Sequence, residues 1–278
     1  MELAPAALET FVVSGAGVIV MGDGDGGNRL TPDLLDSLIE AVKAYVGNPN
    51  VRFILLRSRG EHFCHGMDLE AYLAGSDSGV FERGVESYAA LLLALNDCPK
   101  TTLAILEGSV RAGGVGLASA CDIVIADKEV VFELGEAYLG LVPANVMPYL
   151  LTRRISPKRA AYLVQTAATV KAGDALTLGL VEEVHPREEI EGAVRRIGRR
   201  LSRISPTATL QYKEFIADIQ DLPLAERGRI AVGRLVQIAS NPQIRNSIHA
   251  FLQGDMPDWF GRFKPARALT NSGEQGEV

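Results

Sequence analysis

The sequence is poor in the residues that usually announce a metal or redox site. It holds three cysteines, Cys64, Cys98 and Cys121, an odd count at spacings that suit neither a zinc centre nor a disulfide framework. Such sparse thiols fit a reducing cytoplasm. Its four histidines, His62, His65, His185 and His249, offer no HExxH or similar ligand spacing. No metal is therefore expected. Positive charge is not in excess: the net charge of −6 argues against a nucleic-acid partner. An anionic ligand would need a local basic cluster. No apolar run approaches the length of a membrane span, so no membrane partner is expected. The first residues, MELAPAALETFVV, lack the charged-then-apolar order of a secretory signal.

The remaining composition is that of an ordinary globular protein, 47% hydrophobic and 22% charged. A chain of 278 residues has room for one or two domains and a sizeable core. Thr10–Val13, Gly17–Met21, Val51–Arg57, Thr101–Glu107, Ile123–Ala126, Val130–Leu134 and Leu180–His185 predict strands. Thr31-Pro32-Asp33 predicts a helix start, with Thr31 as N-cap and Pro32 in the first turn. Leu34, Leu35, Leu38, Ile39 and Val42 make that helix's apolar stripe. Further helices are expected over Glu82–Asn96, Val115–Cys121, from Pro143 through Leu151, and over Lys158–Gln165 and Ala172–Leu178. From Glu188 onward the pattern is helical only. The fold class is α/β, with strands and helices alternating first and a helical C-terminal layer after them. The division expected is a core over 1–187, a helical region over 188–265, and a fraying tail over 266–278. No internal repeat is visible.

Three segments carry possible chemistry, and a fourth only spells a motif. Gly22-Asp23-Gly24-Asp25-Gly26-Gly27 spells GxGxxG after a strand, yet no helix opens until Thr31 and two aspartates would face the phosphates. A flexible acidic loop is the better reading. Val110-Arg111-Ala112-Gly113-Gly114-Val115-Gly116 joins a strand to a helix. A free N–H near Gly113 would carry the helix's partial positive charge towards a developing oxyanion. Phe63-Cys64-His65-Gly66-Met67-Asp68-Leu69, read as a loop, could aim a second N–H at the same carbonyl oxygen. In the apolar run Phe132 to Pro143, a buried Glu136 would have its pKa raised by desolvation, which suits proton transfer. Each of the three also has a plain structural reading: a steric glycine, a surface loop, a surface glutamate.

Together the three resemble the enoyl-CoA hydratase (crotonase) superfamily across nearly the whole chain. Asn28-Arg29-Leu30-Thr31, Cys121-Asp122-Ile123-Val124, Leu178-Gly179-Leu180-Val181 and Ser247-Ile248-His249-Ala250-Phe251-Leu252 match further elements of that family in order. The resemblance implies a spiral of ββα units, a homotrimer or hexamer, and no metal or redox cofactor. The substrate would be a thioester of CoA or of an acyl carrier protein. It also implies backbone donors at Met67 and Gly113 and a catalytic carboxylate at Glu136. The family's second glutamate aligns with Gly116, which leaves space there, open to water. Ala112 to Gly116, Glu136, and Gly140-Leu141-Val142-Pro143-Ala144-Asn145-Val146-Met147-Pro148-Tyr149-Leu150 resemble the dehydratases of polyketide β-branching. Those act on 3-hydroxy-3-methylglutaryl groups held on an acyl carrier protein. The substrate-binding candidates are His65, Gly66, Asp68, Gly114, Arg111, Ala144, Asn145, Tyr72 and Tyr138, with Arg83 as another cation for a distal carboxylate. For His65 a solvent-facing side chain is the plainer reading, for the two tyrosines aromatic packing, and for Cys64 a buried filler. Arg262 and Lys264 could meet CoA or an acidic carrier protein. A hydratase or isomerase of free acyl-CoA and a non-catalytic scaffold of the same fold are the alternatives.

Overall fold

The computed structural model describes residues 8–22, 27–70, 79–257 and 259–260. Asp23 to Gly26, Tyr72, Arg262, Lys264 and the tail over 266–278 lie outside them.

Strands β1 (Leu8–Val13), β2 (Ala16–Met21), β3 (Phe53–Ser58), β5 (Thr101–Leu106), β7 (Ile123–Asp127) and β10 (Glu183–His185) form one six-stranded sheet in the order β1-β2-β3-β5-β7-β10. The β1–β2 hairpin is antiparallel and every later pairing is parallel. A second sheet is built from very short strands: β4 (His62–Cys64), β6 (Ser109–Arg111), β8 (Val131–Glu133) and β9 (Val170–Lys171), in the order β4-β6-β8-β9. The chain repeatedly lays a strand in the first sheet, a short strand in the second, and then a helix. Helices α2 (Gly79–Asn96) and α3 (Gly113–Ala120) close two of these turns. This is the expected α/β spiral of ββα units.

The first sheet is buried on both faces, which is why its strands read as continuous apolar runs. Ile19, Ile54, Ala104 and Val124 point into the larger cluster beneath α1 (Pro32–Gly47) and α2. Their neighbours Val18, Phe53, Leu55, Leu103 and Ile125 point the other way, onto Ile190, Val194 and Ile197 of α7 (Ile190–Leu201). Each fully buried aliphatic side chain contributes about 1.5–3 kcal/mol. The packing thus joins α7 to the α/β core, although it follows the boundary drawn at 188. Thr31 caps α1 as expected, its Oγ1 accepting from the Leu34 N–H at 3.3 Å.

Helices α4 (Met147–Arg153), α5 (Pro157–Thr166), α6 (Ala172–Leu178), α8 (Ala208–Ile219), α9 (Leu224–Ala239) and α10 (Pro242–Leu252) complete the chain. The last three have no buried residue. Leu224, Val232, Leu235, Val236, Phe251 and Leu252 are exposed apolar side chains. No helix among the described residues is long and apolar enough to cross a membrane.

Several boundaries differ from the sequence reading. His62–Cys64 is a strand, not part of a loop, because three residues carry no period that a pattern could show. The helix expected from Pro143 starts at Met147, after a run of turns through Ala144. The helix expected at Val115 starts two residues earlier, at Gly113.

Candidate active site

The site follows from the second sheet. Strands β4, β6 and β8 are parallel neighbours. Adjacent strands stand about 4.8 Å apart. Met67 follows the end of β4 by three residues, Gly113 follows β6 by two, and Glu136 follows β8 by three. Three successive turns of the spiral thus deliver the two candidate donors and the candidate carboxylate to one edge.

Backbone pairing aims the donors. Leu30 donates to the Gly66 carbonyl at 2.8 Å and accepts from the Asp68 N–H at 3.3 Å, in a parallel bridge opposite Met67. Alternation along the chain then turns the Met67 N–H away from Leu30. Gly113 opens α3, where the first N–H groups have no helical acceptor. Among the described residues no acceptor takes either N–H. The two loops touch: a Cβ on Gly66 would lie 2.8 Å from Gly113 N and 2.9 Å from Ala112 Cβ, and Gly66 has φ +84°. Only glycine fits there without moving a donor. Ala112, just before the donor, has φ 47° and ψ −119°. A non-glycine residue held in so sparse a region costs about 1–3 kcal/mol. The Ala112 N–H donates to Glu133 O at 2.9 Å, which locks the strained turn to β8.

Glu136 begins a single turn of 3-10 helix, Glu136–Leu139. Its Oε2 is buried and has no hydrogen-bond partner among the described residues. Burial pushes its carboxyl above the ordinary value, while the hydrogen bond from its own backbone N–H opposes the shift. A carboxylate left unpaired in apolar surroundings is a stronger base than one in water.

The other candidates fall into distinct groups. Gly114 packs on the Cys64 carbonyl, and Asp68 is buried beside Met67. His65 is half-buried rather than simply solvent-facing: its Nε2 lies 2.8 Å from Ser109 Oγ, which is also 2.8 Å from His62 Nδ1. Burial, then His62, Arg111 and Arg29, lower the His65 pKa to about 4. That imidazole is neutral at physiological pH. Arg111 is exposed and pairs with Glu133 at 3.5 Å. Arg83 is exposed on α2. Asn145 donates to the Val85 carbonyl at 3.0 Å, so its amide is held by the protein. Ala144 is exposed, and Tyr138, at 72% exposure, is not packed in the core. Cys64 is buried, as expected, and its Sγ accepts from the Gly66 N–H.

The largest departure concerns Gly116. No open space remains there: a Cβ would overlap the Tyr88 hydroxyl and come 3.1 Å from Val146 Cγ2. Tyr88, which the sequence reading passed over, is buried in the α2 stripe with Leu91, Leu92 and Leu95. Its hydroxyl donates to the Gly113 carbonyl at 2.5 Å. A tyrosine within a buried leucine stripe is the signal that could have found it, since its hydroxyl must meet a partner. Among the described residues no three metal-ligating side chains gather.

A two-sheet ββα spiral with these loops at one edge defines the crotonase class of protein. The model of the enoyl-CoA hydratase/isomerase family matches residues 13–262, and the chain belongs to that family. It is 32% identical over 210 residues to an enoyl-CoA hydratase of Alternaria alternata, covering 74% of this chain and 67% of that protein. It is 25% identical over 236 residues to the bacillaene synthase dehydratase PksH of Bacillus subtilis, covering 84% of this chain and 89% of that one. The crystal structure of an enoyl-CoA hydratase/isomerase from Marinobacter aquaeolei superposes with a TM-score of 0.82 at 25% identity, covering 91% of this chain and 99% of that one. The protein is therefore an enzyme of the hydro-lyase type, with enoyl-CoA hydratase/isomerase chemistry on acyl thioesters.

Proposed function

We propose that this enzyme is a dehydratase of 3-hydroxyacyl thioesters that works with one carboxylate, Glu136. Its substrate is a 3-hydroxy-3-methylglutaryl group on an acyl carrier protein, and its product is the 3-methylglutaconyl thioester. The observation that carries the reading is the buried Glu136 Oε2, without a partner among the described residues, in a site whose second carboxylate position is a glycine packed against Tyr88.

The thioester carbonyl oxygen accepts from the Met67 and Gly113 N–H groups. The Glu136 carboxylate removes the C2 proton, and the electron pair moves onto that oxygen as an enolate. The enolate collapses to a C2–C3 double bond, the C3–O bond breaks, and the proton on Glu136 leaves with the hydroxyl as water. One carboxylate serving both carbons requires syn elimination. Losing one such donor typically costs about 100- to 1,000-fold in rate.

Arg111 and Arg29 both bear on His65 beside the donor loop. These two cations, Arg111 paired with Glu133, support an acyl chain ending in a carboxylate, or a phosphopantetheine phosphate. The similarity to a bacillaene synthase dehydratase supports a carrier-protein substrate. The exposed apolar faces of the C-terminal helices support a trimer or hexamer, in which they would be covered.

The test is mass spectrometry of the 3-hydroxy-3-methylglutaryl carrier protein incubated with wild type and with Glu136→Gln. Wild type should remove one water and the variant should not. No loss of water, under conditions where crotonyl-CoA or a 3-enoyl-CoA turns over, would overturn the dehydratase reading in favour of free-CoA chemistry. Isomerisation also needs only one base, so the same geometry serves it.

A further inference from the structure

A family member with glycine at the second carboxylate position could hold water there, or something could fill the gap. Here the gap is filled from another element. The Tyr88 hydroxyl reaches across from α2 and occupies the volume into which a side chain at 116 would grow. The same hydroxyl donates at 2.5 Å to the carbonyl of Gly113, the residue whose N–H faces the substrate. A Cβ on Gly113 would itself lie 3.3 Å from that hydroxyl.

We propose that Tyr88 is a positioning residue, which fixes the Gly113 oxyanion donor and fills the second carboxylate position so that Glu136 works alone. This rests on the single-carboxylate reading above and adds the residue that enforces it. Gly113 has two soft dihedrals and no side chain to hold it. The peptide before Ala112 is held by its bond to Glu133 O, the carbonyl of the donor peptide itself accepts from the Val115 N–H at 2.9 Å, and the peptide after Gly113 is held by Tyr88. Between those fixed points the donor N–H keeps one direction, which is what preorganised stabilisation of an oxyanion requires. Burial, with smaller contributions from Cys64, Glu136 and Tyr149, drives the Tyr88 pKa well above the ordinary value, so the hydroxyl remains a donor at every working pH. Tyr88 is 3% exposed and has no path to act as a surface group.

Tyr88→Phe keeps the ring and removes the donor. The expected kcat falls about 10-fold with KM within about 2-fold and no large change in Tm, the signature of an interaction lost mainly in the transition state. A readout free of turnover is the infrared band of a carbonyl-13C butyryl thioester of pantetheine bound at saturation, which has no double bond to hydrate and no hydroxyl to lose. Wild type should shift it to lower frequency, and Tyr88→Phe should lose much of that shift. An unchanged carbonyl band with unchanged kcat would overturn the proposal. A double-mutant cycle tests the filled volume. Gly116→Ala should cost activity in the wild-type background, where its Cβ overlaps the hydroxyl. It should cost clearly less in Tyr88→Phe, where the contacts that remain are Val146 Cγ2 at 3.1 Å and the nearest ring carbon at 3.3 Å. Losses that multiply, or a fully active Gly116→Ala, would refute the overlap. Failure of the Glu136 reading is separable: it appears as turnover retained by Glu136→Gln, whereas the carbonyl band reports on Tyr88 without any base.

Discussion

Glu136→Gln should separate catalysis from stability, moving them in opposite directions. The side chain keeps its size and loses its charge and its basicity. A positioned acid–base group supplies typically 100- to 10,000-fold. In the proposed mechanism Glu136 is both base and acid, so the loss should lie at the upper end of that range. The folded protein meanwhile holds a buried carboxylate oxygen with no partner among the described residues. A buried unsatisfied polar group costs about 1–3 kcal/mol, more when charged. Solvent reaches other parts of this half-buried residue, which argues for the lower figure. A gain of about 1 kcal/mol in a chain of this size corresponds to a Tm rise of roughly 2–4 °C. The sign with pH follows from the raised carboxyl pKa. The folded state holds that proton more tightly than the unfolded chain does, so the ionised form is penalised above the folded pKa. The variant's advantage should therefore be full above the folded pKa and vanish below the unfolded carboxylate value. The assay is a thermal melt of both proteins from pH 4 to 8 beside the dehydration rate. A variant that is both inactive and clearly less stable at pH 7 would refute the reasoning, since Glu136 would then be a partnered structural residue.

The wild-type rate should show an acid limb above the ordinary carboxylate range, because the base must be ionised; a limb at or below that range would contradict the desolvated setting. Gly66→Ala places a Cβ 2.8 Å from Gly113 N at a φ of +84° and should lower kcat about 100-fold or more, read by single-turnover kinetics. His65 carries a pKa of about 4 in the folded state, so stability should fall as pH drops below about 6.5 towards 4; His65→Gln should flatten that part of the melt profile. Phe53→Ala, between the first sheet and α7, should cost about 3–5 kcal/mol by denaturant unfolding.

The elements legible in the sequence are those long enough to show a period. Strands β2, β3, β5 and β7 are apolar on both faces and flanked by turns, and α1 carries its own cap and stripe. Of the second sheet, β8 lies within the expected strand Val130–Leu134, whereas β4, β6 and β9 escaped because two or three residues show no period and their pairing is dictated by the spiral around them. The same limit applies at the site. Met67, Gly113 and Glu136 stand in segments whose order along the chain could be recognised. Tyr88 stands some 25 residues from the carbonyl it holds, within a stripe whose other members are plain core. Its role depends on a contact across elements, which local periodicity does not contain. His65 was misplaced for the same reason: its partner, Ser109, lies 44 residues away.

The delivery of the two candidate donors and the candidate carboxylate by three consecutive turns has an evolutionary consequence. Each reactive group hangs two or three residues beyond its own short strand, so each can be exchanged by a local change in one loop while the ladder that spaces them stays intact. The spacing is inherited from the sheet and the chemistry from the loops. A lineage could pass from two carboxylates to one by a change at position 116 and a compensating tyrosine on a separate helix, without refolding the edge that holds the thioester. The architecture is modular at the scale of single side chains, which makes a change of reaction a smaller step than a change of fold.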